Sequence, residues 1–313
     1  MTTDLPQVIH TYQNHTLDST RWQGYQPRAD DIVIATAYRS GTTWTQEILR
    51  RLIFWQQADS SWRQVPLNKL SPWLDARWAP LESVIDLLER QQYRRFIKTH
   101  LALDGLPYYP EVKYIVLGRD ARDVFMSFIN HYGSLTDEAR TSINEAPNRV
   151  GDPMPPCPED VHELWHNWIT RGWFPWESEG YPYWGNMSHT QSWWNYRHLS
   201  NILFVHYNDL LDDLSGELRC LASFLNIPMS AEMTDALLPD LTLEMLRSAA
   251  ESHGSNKGFK GGAKTFFFKG TNGRWRDVLS AEELQLYEAK ATQVLTSDCR
   301  AWLEQGRRAL LVD

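Results

Sequence analysis

The chain has 313 residues, 42% of them hydrophobic, which is enough for one large α/β domain or two smaller ones with a sizeable buried core. Its formal net charge of −8, from 39 acidic and 31 basic residues without a long basic block, argues against a nucleic-acid-binding protein. Cys157, Cys220 and Cys299 are odd in number and far apart, so we expect reduced thiols, as in a cytoplasmic protein.

In chain order, the N-terminal residues show no basic stretch followed by an apolar one, and no window contains 18 apolar residues, so we expect neither export nor a membrane span. Short apolar runs then alternate with amphipathic stretches. The runs predict strands at 31–37, 95–99, 112–117 and 201–205. The amphipathic stretches predict helices at 42–54, 121–131, 159–170, 188–199, 210–225, 231–249 and 281–294. This alternation predicts an α/β fold with a mainly parallel central sheet flanked by helices.

The stretch TAYRSGTTWTQEIL, Thr36 to Leu49, joins the first strand to the first helix through a hydroxyl-rich turn. Backbone N–H groups at a helix N-terminus form an anion site, and Ser40, Gly41, Thr42 and Thr43 suit one because the glycine permits close approach and the hydroxyls add donors. A Walker A loop needs a lysine after its second glycine and another glycine five residues earlier. Here the cation, Arg39, precedes the glycine, so the turn predicts an anion loop of another kind.

The segment YRSGTTW closely resembles the P-K-S-G-T-T-W signature of the cytosolic sulfotransferases. The resemblance implies that Ser40 to Thr43 bind the 5′-phosphosulfate end of 3′-phosphoadenosine 5′-phosphosulfate (PAPS). It also implies that Arg39, in place of the family's lysine, lies near the bridging oxygen, and that Trp44 stacks on adenine. Arg39 keeps the positive charge of the lysine, but its planar guanidinium group donates in directions different from those of an ammonium group, so its geometry at the leaving oxygen differs.

Two further segments resemble the phosphate-binding motifs of the same family. LGRDARDVFMSF resembles R-N-x-K-D-x-x-x-S, which implies that Arg119 and Ser127 bind the 3′-phosphate. FFFKGTNGRW resembles R-K-G-x-x-G-D-W, which implies that Lys269 and Gly270 close over the same phosphate. In this second segment Phe268 replaces an arginine and Arg274 replaces an acid, so we expect one phosphate contact to be lost or relocated.

The catalytic candidates lie in FIKTHLALDGLP, which resembles the family's K-T-H-L-P. The resemblance implies that His100 is the general base and that Lys98 contacts the transferring sulfuryl group. Tyr207, after the fourth predicted strand, matches a tyrosine at the nucleotide base.

Over residues 22–280 the resemblance implies one P-loop-like domain that spans 1–313. It implies a PAPS-dependent sulfotransferase that acts by in-line displacement, forms 3′,5′-adenosine bisphosphate (PAP), needs no metal and allows a homodimer.

The fifteen tryptophans concentrate between Trp165 and Trp194, a pattern typical of a large aromatic core or of a pocket for a bulky apolar ligand. Because this region, Trp22 and Tyr25 correspond to parts of the family that build acceptor pockets, we expect a hydroxylated apolar small-molecule acceptor. Ser252 to Gly262 is rich in glycine and lysine and predicts a mobile loop that could close as a lid.

Three alternatives stay open. A P-loop kinase or other phosphotransferase would need the Walker lysine, and a catalytically silent nucleotide-binding protein would fit the replacements at Arg39 and Phe268. The third is a zinc hydrolase, because HELWH, His162 to His166, matches a zinc motif with Glu163 as base and Glu177 or Glu179 as a third ligand. Ile169 and Gly172 break the extended form of that motif.

Overall fold

The computed structural model describes residues 5–57, 59–146, 149–253 and 256–310. Its centre is a sheet of four parallel strands in the order β2-β1-β3-β4. The strands are β1 (Ile32–Thr36), β2 (Phe96–Thr99), β3 (Lys113–Gly118) and β4 (Ile202–His206). The mainly parallel sheet predicted from the alternation of strands and helices is confirmed, and all four strands begin and end within one residue of prediction.

Both faces of the sheet are covered, which explains why its strands are continuous apolar runs. Successive residues of a strand point to opposite faces. On β1, Ile32 and Ile34 pack in a cluster with α1 and the later helices, whereas Val33 and Ala35 pack in a second cluster that contains most of the tryptophans. The sheet therefore separates an aliphatic layer from an aromatic layer.

The α-helices surround this sheet in chain order. They are α1 (Thr42–Phe54), α2 (Leu67–Leu70), α3 (Leu81–Arg90), α4 (Ala121–Gly133), α5 (Asp137–Asn144), α6 (Val161–Thr170), α7 (Met187–Trp194), α8 (Tyr207–Asp212), α9 (Leu214–Phe224), α10 (Ala231–Leu237), α11 (Leu243–Ser252), α12 (Gly262–Phe266), α13 (Ala281–Val294) and α14 (Ser297–Gln305). No α-helix in the described parts of the chain is long and apolar enough to cross a membrane.

Two predicted helices are wrong as single elements. The helix predicted at 210–225 is two, because Asp213 caps the start of α9 by accepting from the N–H of Gly216. The helix predicted at 231–249 divides at Pro239, which has no N–H to donate, and Thr242 caps the new start at α11. The helix predicted at 188–199 ends at Trp194. The bounds of α1 and α13 are as predicted.

The carboxyl ends of the parallel strands meet at one edge, where β1 leads into α1, β2 into residues 100–105, β3 into α4 and β4 into α8. In such sheets this edge is where ligands bind. Of the predicted mobile loop, residues 254 and 255 lie outside the described residues. Gly258 and Lys260 hydrogen-bond to the backbone of Thr136 and Ser134. That the domain spans all of 1–313 stays a prediction.

Candidate functional site

The turn after β1 has a backbone that few residues could adopt. Gly41 has φ 110°, and a Cβ there would lie 2.9 Å from Cδ2 of Tyr207, so glycine is needed both for its backbone conformation and for space. Arg39 also has a positive φ, 62°, which is uncommon outside glycine and is concentrated at functional sites. The hydroxyl of Ser40 is buried without a partner among the described residues. The turn thus presents donors at the N-terminus of α1.

Side-chain hydrogen bonds close the turn on itself and join it to the aromatic side of the sheet. The hydroxyls of Thr36 and Thr42 are 2.7 Å apart across the turn. Tyr38, where the resembling family has proline, is buried on the aromatic side of the sheet. Its hydroxyl accepts from the indole N–H of Trp168 at 2.7 Å and donates to the carbonyl of Gly180 at 3.3 Å.

His100 follows β2 and reaches the start of the same turn. Its Nδ1 lies 2.7 Å from the backbone carbonyl of Thr36, which can only accept, so Nδ1 carries the proton and Nε2 has a free lone pair. Burial and the charge of Lys98 lower the pKa of His100 well below its usual range, so the ring is neutral at neutral pH. A neutral imidazole with a free Nε2 can accept a proton.

Lys98 lies on β2 with its ammonium 4.2 Å from the ring centroid of Trp73, a cation–π contact. The pKa of Lys98 is lowered to about 8, mainly by burial; the negative charge of Asp75 opposes this shift and the positive charge of Arg39 adds to it. Lys98 and His100 therefore lie at one strand end beside the turn, and their catalytic roles stay a prediction.

Arg39 and Arg119 lie together although the resemblance assigns Arg39 to the bridging oxygen and Arg119 to the 3′-phosphate. Arg39 donates from Nε to the Ser127 hydroxyl at 3.1 Å and from Nη2 to the carbonyl of Phe266 at 2.9 Å, and its Nη1 lies 3.4 Å from Nδ1 of His131. Arg119 donates to the carbonyl of Arg39 at 3.1 Å. Burial and the charge of Arg119 lower the pKa of Arg39 to about 10, the effect expected of clustered cations.

The end of the chain supplies a third arginine to this cluster. Arg274 donates to the carbonyl of Met126, next to Ser127, at 2.8 Å, and the charge of Arg119 helps burial to lower its pKa. Lys269 is exposed, with its ammonium 5.5 Å from the ring of Phe268, and no described contact joins it to Arg119. Gly270, with φ 67°, accepts at its carbonyl from the Tyr207 hydroxyl at 3.1 Å.

The two predicted base-binding rings are adjacent. Trp44 and Tyr207 meet edge to face with centroids 5.6 Å apart, and the indole N–H of Trp44 is buried without a described partner. The guanidinium of Arg119 lies over the Tyr207 ring at 4.1 Å. These rings and the arginine cluster flank the same turn.

The predicted aromatic acceptor region divides between core and site. Trp165, Trp168 and Trp193 are fully buried in the core. Trp22 and Tyr25 are also buried, where they hydrogen-bond to Asp75 and Asp31, so the structure does not place them at a pocket wall.

Two other tryptophans do border His100. The ring centroids of Trp73 and Trp184 lie 4.7 and 5.8 Å from that of His100. Trp78, with 52% of its surface exposed, contacts Trp73 at 4.8 Å. An aromatic wall thus extends from the surface to His100.

The HELWH histidines lie elsewhere. His162, Glu163 and His166 are on the exposed face of α6, and His162 pairs with Glu283 at 2.9 Å. Glu179 is buried and Glu177 is half-buried, and together they accept backbone N–H groups of residues 174, 185, 186 and 188. In the described part of the chain no three histidine, cysteine or acidic side chains are grouped to bind a metal.

The predictions did not include Asp75, Trp73 or His131, all of which contact or face the predicted catalytic groups. His131 lies one turn after Ser127 on α4, so helical spacing alone could have indicated it. Asp75 and Trp73 come from an irregular segment beside β2, for which the sequence pattern gives no signal.

A family model described as "Sulfotransferase domain" matches residues 29–296. A glycolipid sulfotransferase of Mycobacterium bovis is 33% identical over 313 aligned positions, with 95% of this chain and 94% of the relative covered. One of Mycobacterium tuberculosis is 32% identical with the same coverage. The chain belongs to the sulfotransferase family. It is therefore an enzyme of sulfuryl transfer, as the turn and the His100 segment predict.

The fold of this sulfotransferase is similar to that of mouse sulfotransferase SULT7A1, whose crystal structure is complexed with PAP. The TM-score is 0.68 at 20% identity, with 91% of this chain and 92% of the mouse chain covered. At that identity the likeness shows the fold, and the predicted single α/β sulfotransferase fold is confirmed.

Proposed function

We propose that this sulfotransferase moves a sulfuryl group from PAPS to a hydroxyl of an apolar acceptor, with His100 as general base. The observation that carries the proposal is the hydrogen bond from Nδ1 of His100 to the Thr36 carbonyl, which leaves Nε2 free beside an anion-binding turn. Sulfuryl transfer requires a base for the acceptor and a site for the anionic donor, and here Thr36 contacts both His100 and the turn.

The residues around the turn fit a donor with two phosphates. Backbone N–H groups and hydroxyls of Ser40 to Thr43 would hold the 5′-phosphate at the N-terminus of α1. Arg119 and Ser127 would hold the 3′-phosphate. Burial and the positive charge of Arg119 lower the pKa of both Arg39 and Arg274, and a bound anion would relieve this repulsion, which supports a phosphate at this cluster.

Arg274 is our candidate for the relocated phosphate contact. Phe268, which replaces an arginine of the resembling motif, is 43% exposed, and the guanidinium of Arg274 lies 5.4 Å from its ring. Arg274 also contacts the backbone next to Ser127, which supports it as the substitute for the missing arginine. Lys269 and Gly270 would close over the same phosphate, and Trp44 and Tyr207 would contact adenine.

When bound, PAPS supplies the sulfuryl group and a 5′-phosphate that leaves as part of PAP. The acceptor oxygen forms a bond to sulfur while the bond from sulfur to the bridging oxygen breaks, and Nε2 of His100 takes the acceptor's proton. Lys98 and Arg39 would stabilise negative charge on the sulfuryl and bridging oxygens. A base matters more for an alcohol, with a pKa near that of water at ~15.7, than for a phenol near ~10.

The aromatic wall of Trp73, Trp184 and Trp78 supports an acceptor with a large apolar surface. Glycolipids are the first acceptors to test, because the mycobacterial relatives are named glycolipid sulfotransferases. Sugar hydroxyls are alcohols, so they fit a site with a histidine base. Cys157, Cys220 and Cys299 are free thiols, in keeping with the predicted cytoplasmic location. That location and the possible homodimer stay predictions.

A thermal-shift comparison tests the donor. The protein is heated with PAP, with ATP and Mg²⁺, or with Zn²⁺ in parallel. Ligand at 100 times its Kd adds ~2.7 kcal/mol to the free energy of unfolding, a shift of several degrees at this size. We expect PAP to stabilise the protein most. A response to ATP and Mg²⁺ without one to PAP would favour the phosphotransferase, and a response to Zn²⁺ alone would favour the hydrolase.

The His100→Ala variant tests the base and separates an enzyme from a silent binding protein. Turnover with a glycolipid acceptor should fall by roughly 10²–10⁴, the usual contribution of general base catalysis, while PAP affinity is kept. The control is His162→Ala, because His162 is exposed and paired with Glu283 away from the site. Turnover of His100→Ala close to that of the control would remove His100 as base.

A further inference from the structure

Asp75 is a fully buried carboxylate that the proposed mechanism does not use. It accepts the indole N–H of Trp73 at 2.7 Å and that of Trp22 at 3.1 Å, and the backbone N–H of His100 lies 3.4 Å from it. Burying a carboxylate is costly unless several donors stabilise its charge. Burial raises the pKa of Asp75, and the hydrogen bonds that it accepts from Trp73 and Trp22 oppose that shift and favour the carboxylate. A buried carboxyl group surrounded by donors therefore indicates a role beyond packing.

Trp73 connects this carboxylate to both predicted catalytic side chains. Its ring meets His100 edge to face, with centroids 4.7 Å apart and planes at 88°, and carries the Lys98 ammonium 4.2 Å from its centroid. The backbone N–H of Lys98 donates to the carbonyl of Pro72 at 2.9 Å, so residues 72–75 extend beside β2. Trp73 thus lies between the base and the cation, and Asp75 fixes its indole.

We propose that Asp75 is a positioning residue for both Lys98 and His100, acting through the Trp73 indole and through its own negative charge. The inference rests on the proposed sulfuryl transfer for its effect on turnover. It adds a residue to that site, which the four resembling motifs do not include.

The charge of Asp75 has a consequence with a definite sign. Among the described residues, the charged and titratable groups that face Lys98 are Asp75 from the segment beside β2, Arg39 from the turn, His100 from the same strand end and His131 from α4. Of these, Asp75 alone favours the protonated lysine, because the two histidines are neutral at neutral pH and Arg39 opposes it. Because Asp75 raises the pKa of Lys98, we expect that pKa to fall below about 8 without the carboxylate, so that a smaller fraction of the lysine is protonated near neutral pH.

The test compares Asp75→Asn, which keeps the shape of the side chain, with Asp104→Asn. Asp104 accepts from the Tyr12 hydroxyl at 2.9 Å in the next loop and does not face Lys98, so it is the matched control. The lysine Cε resonance of Lys98, assigned as the signal missing from Lys98→Arg, is titrated in isotope-labelled protein. We expect the midpoint to fall by roughly one unit in Asp75→Asn and to stay in place in Asp104→Asn.

Turnover supplies the second measurement. Because transfer needs protonated Lys98, the alkaline limb of the kcat profile should move to lower pH in Asp75→Asn by the same amount. At that lower pH His100 is still neutral while Lys98 is protonated again, so the activity of Asp75→Asn should recover as the pH is lowered. PAP binding by thermal shift reports that the fold and donor site are intact.

If folded Asp75→Asn keeps both the wild-type titration midpoint of Lys98 and the wild-type alkaline limb of the kcat profile, the proposal is overturned. If the wild-type protein transfers no sulfuryl group, the proposed function fails, whereas the resonance titration still decides the role of Asp75. Should Asp75→Asn not fold, Trp73→Phe decides, since it removes the indole N–H that joins the carboxylate to the ring. Its kcat should fall at least several-fold with donor KM unchanged, and a wild-type kcat would contradict the proposal.

Discussion

The turn at residues 36–44 and the C-terminal segment at residues 266–275 flank the same arginine cluster but are held in different ways. The turn continues a fully buried central strand into α1, and hydrogen bonds from Thr36 and Tyr38 fix its start. The C-terminal segment is held by side chains that donate to its backbone or to Asn272 within it. These donors are Arg39, Arg119, Tyr207 and Arg247.

This difference predicts where substitutions act. The turn depends on the core, so a change there should affect both folding and donor binding. The C-terminal segment accepts hydrogen bonds from Arg39 and Arg119, which an anion would also contact, so a change there should affect mainly donor affinity. The following variants are ordered by the size of the expected effect.

Gly41→Ala should have the largest effect because it acts on the turn itself. An alanine at φ 110° is strained by about 1–3 kcal/mol, and its Cβ would lie 2.9 Å from the Tyr207 ring. We expect a lower free energy of unfolding in denaturant and loss of the PAP thermal shift. The control is Gly24→Ala, where the nearest side-chain atom would be 3.6 Å from the new Cβ. Equal stabilities of the two variants would show that the turn is not constrained by its backbone.

Arg119→Ala tests the residue that contacts both regions, through the Arg39 carbonyl and Asn272. Hydrogen bonds to charged groups contribute about 1.5–3 kcal/mol, so the Kd for PAP should rise roughly 10- to 150-fold. Isothermal titration calorimetry measures the change, with Arg197→Ala, whose partner is Asp298, as the control. A Kd within twofold of the control would remove Arg119 from the donor site.

Arg274→Ala tests the C-terminal segment alone. Since Arg274 is one cation among several, we expect the Kd for PAP to rise about tenfold with little change in unfolding free energy. Arg276, two residues on and exposed over Trp275, supplies the matched control in Arg276→Ala. The relocated phosphate contact is contradicted if both variants bind PAP as the wild type does.

Tyr207→Phe should have the smallest effect. It removes one hydrogen bond to the carbonyl of Gly270 and keeps the ring beneath Arg119 and beside Trp44. The expected loss is about 0.5–1.5 kcal/mol in PAP binding. A much larger loss, measured by calorimetry, would mean that the C-terminal segment is held mainly through this tyrosine.

The sequence predicted the sheet and the turn because both depend on local pattern. Apolar runs define the strands, and the glycine at residue 41 with its neighbouring hydroxyls indicates an anion loop. His100 and Arg119 follow strands, and parallel strands bring their ends together. These residues could therefore be assigned to one edge of the sheet before their contacts were known.

Other features depend on contacts between distant segments, which periodicity does not report. The pairing of Arg39 with Ser127 depends on how α4 packs against the turn, and the position of Asp75 depends on an irregular segment beside β2. The helix breaks at Asp213 and Pro239 were available as capping and proline signals, but the apolar pattern continues through them.

Tyr38 has a consequence for redesigning this enzyme. Its ring contacts Trp184 at 5.3 Å and its hydroxyl donates to the Gly180 carbonyl, so the residue that begins the anion turn also supports the aromatic wall beside His100. Libraries that vary residues 180–184 to change acceptor preference should therefore also shift the backbone of the turn that we propose binds the donor. Selectivity and donor affinity should be screened as one coupled property.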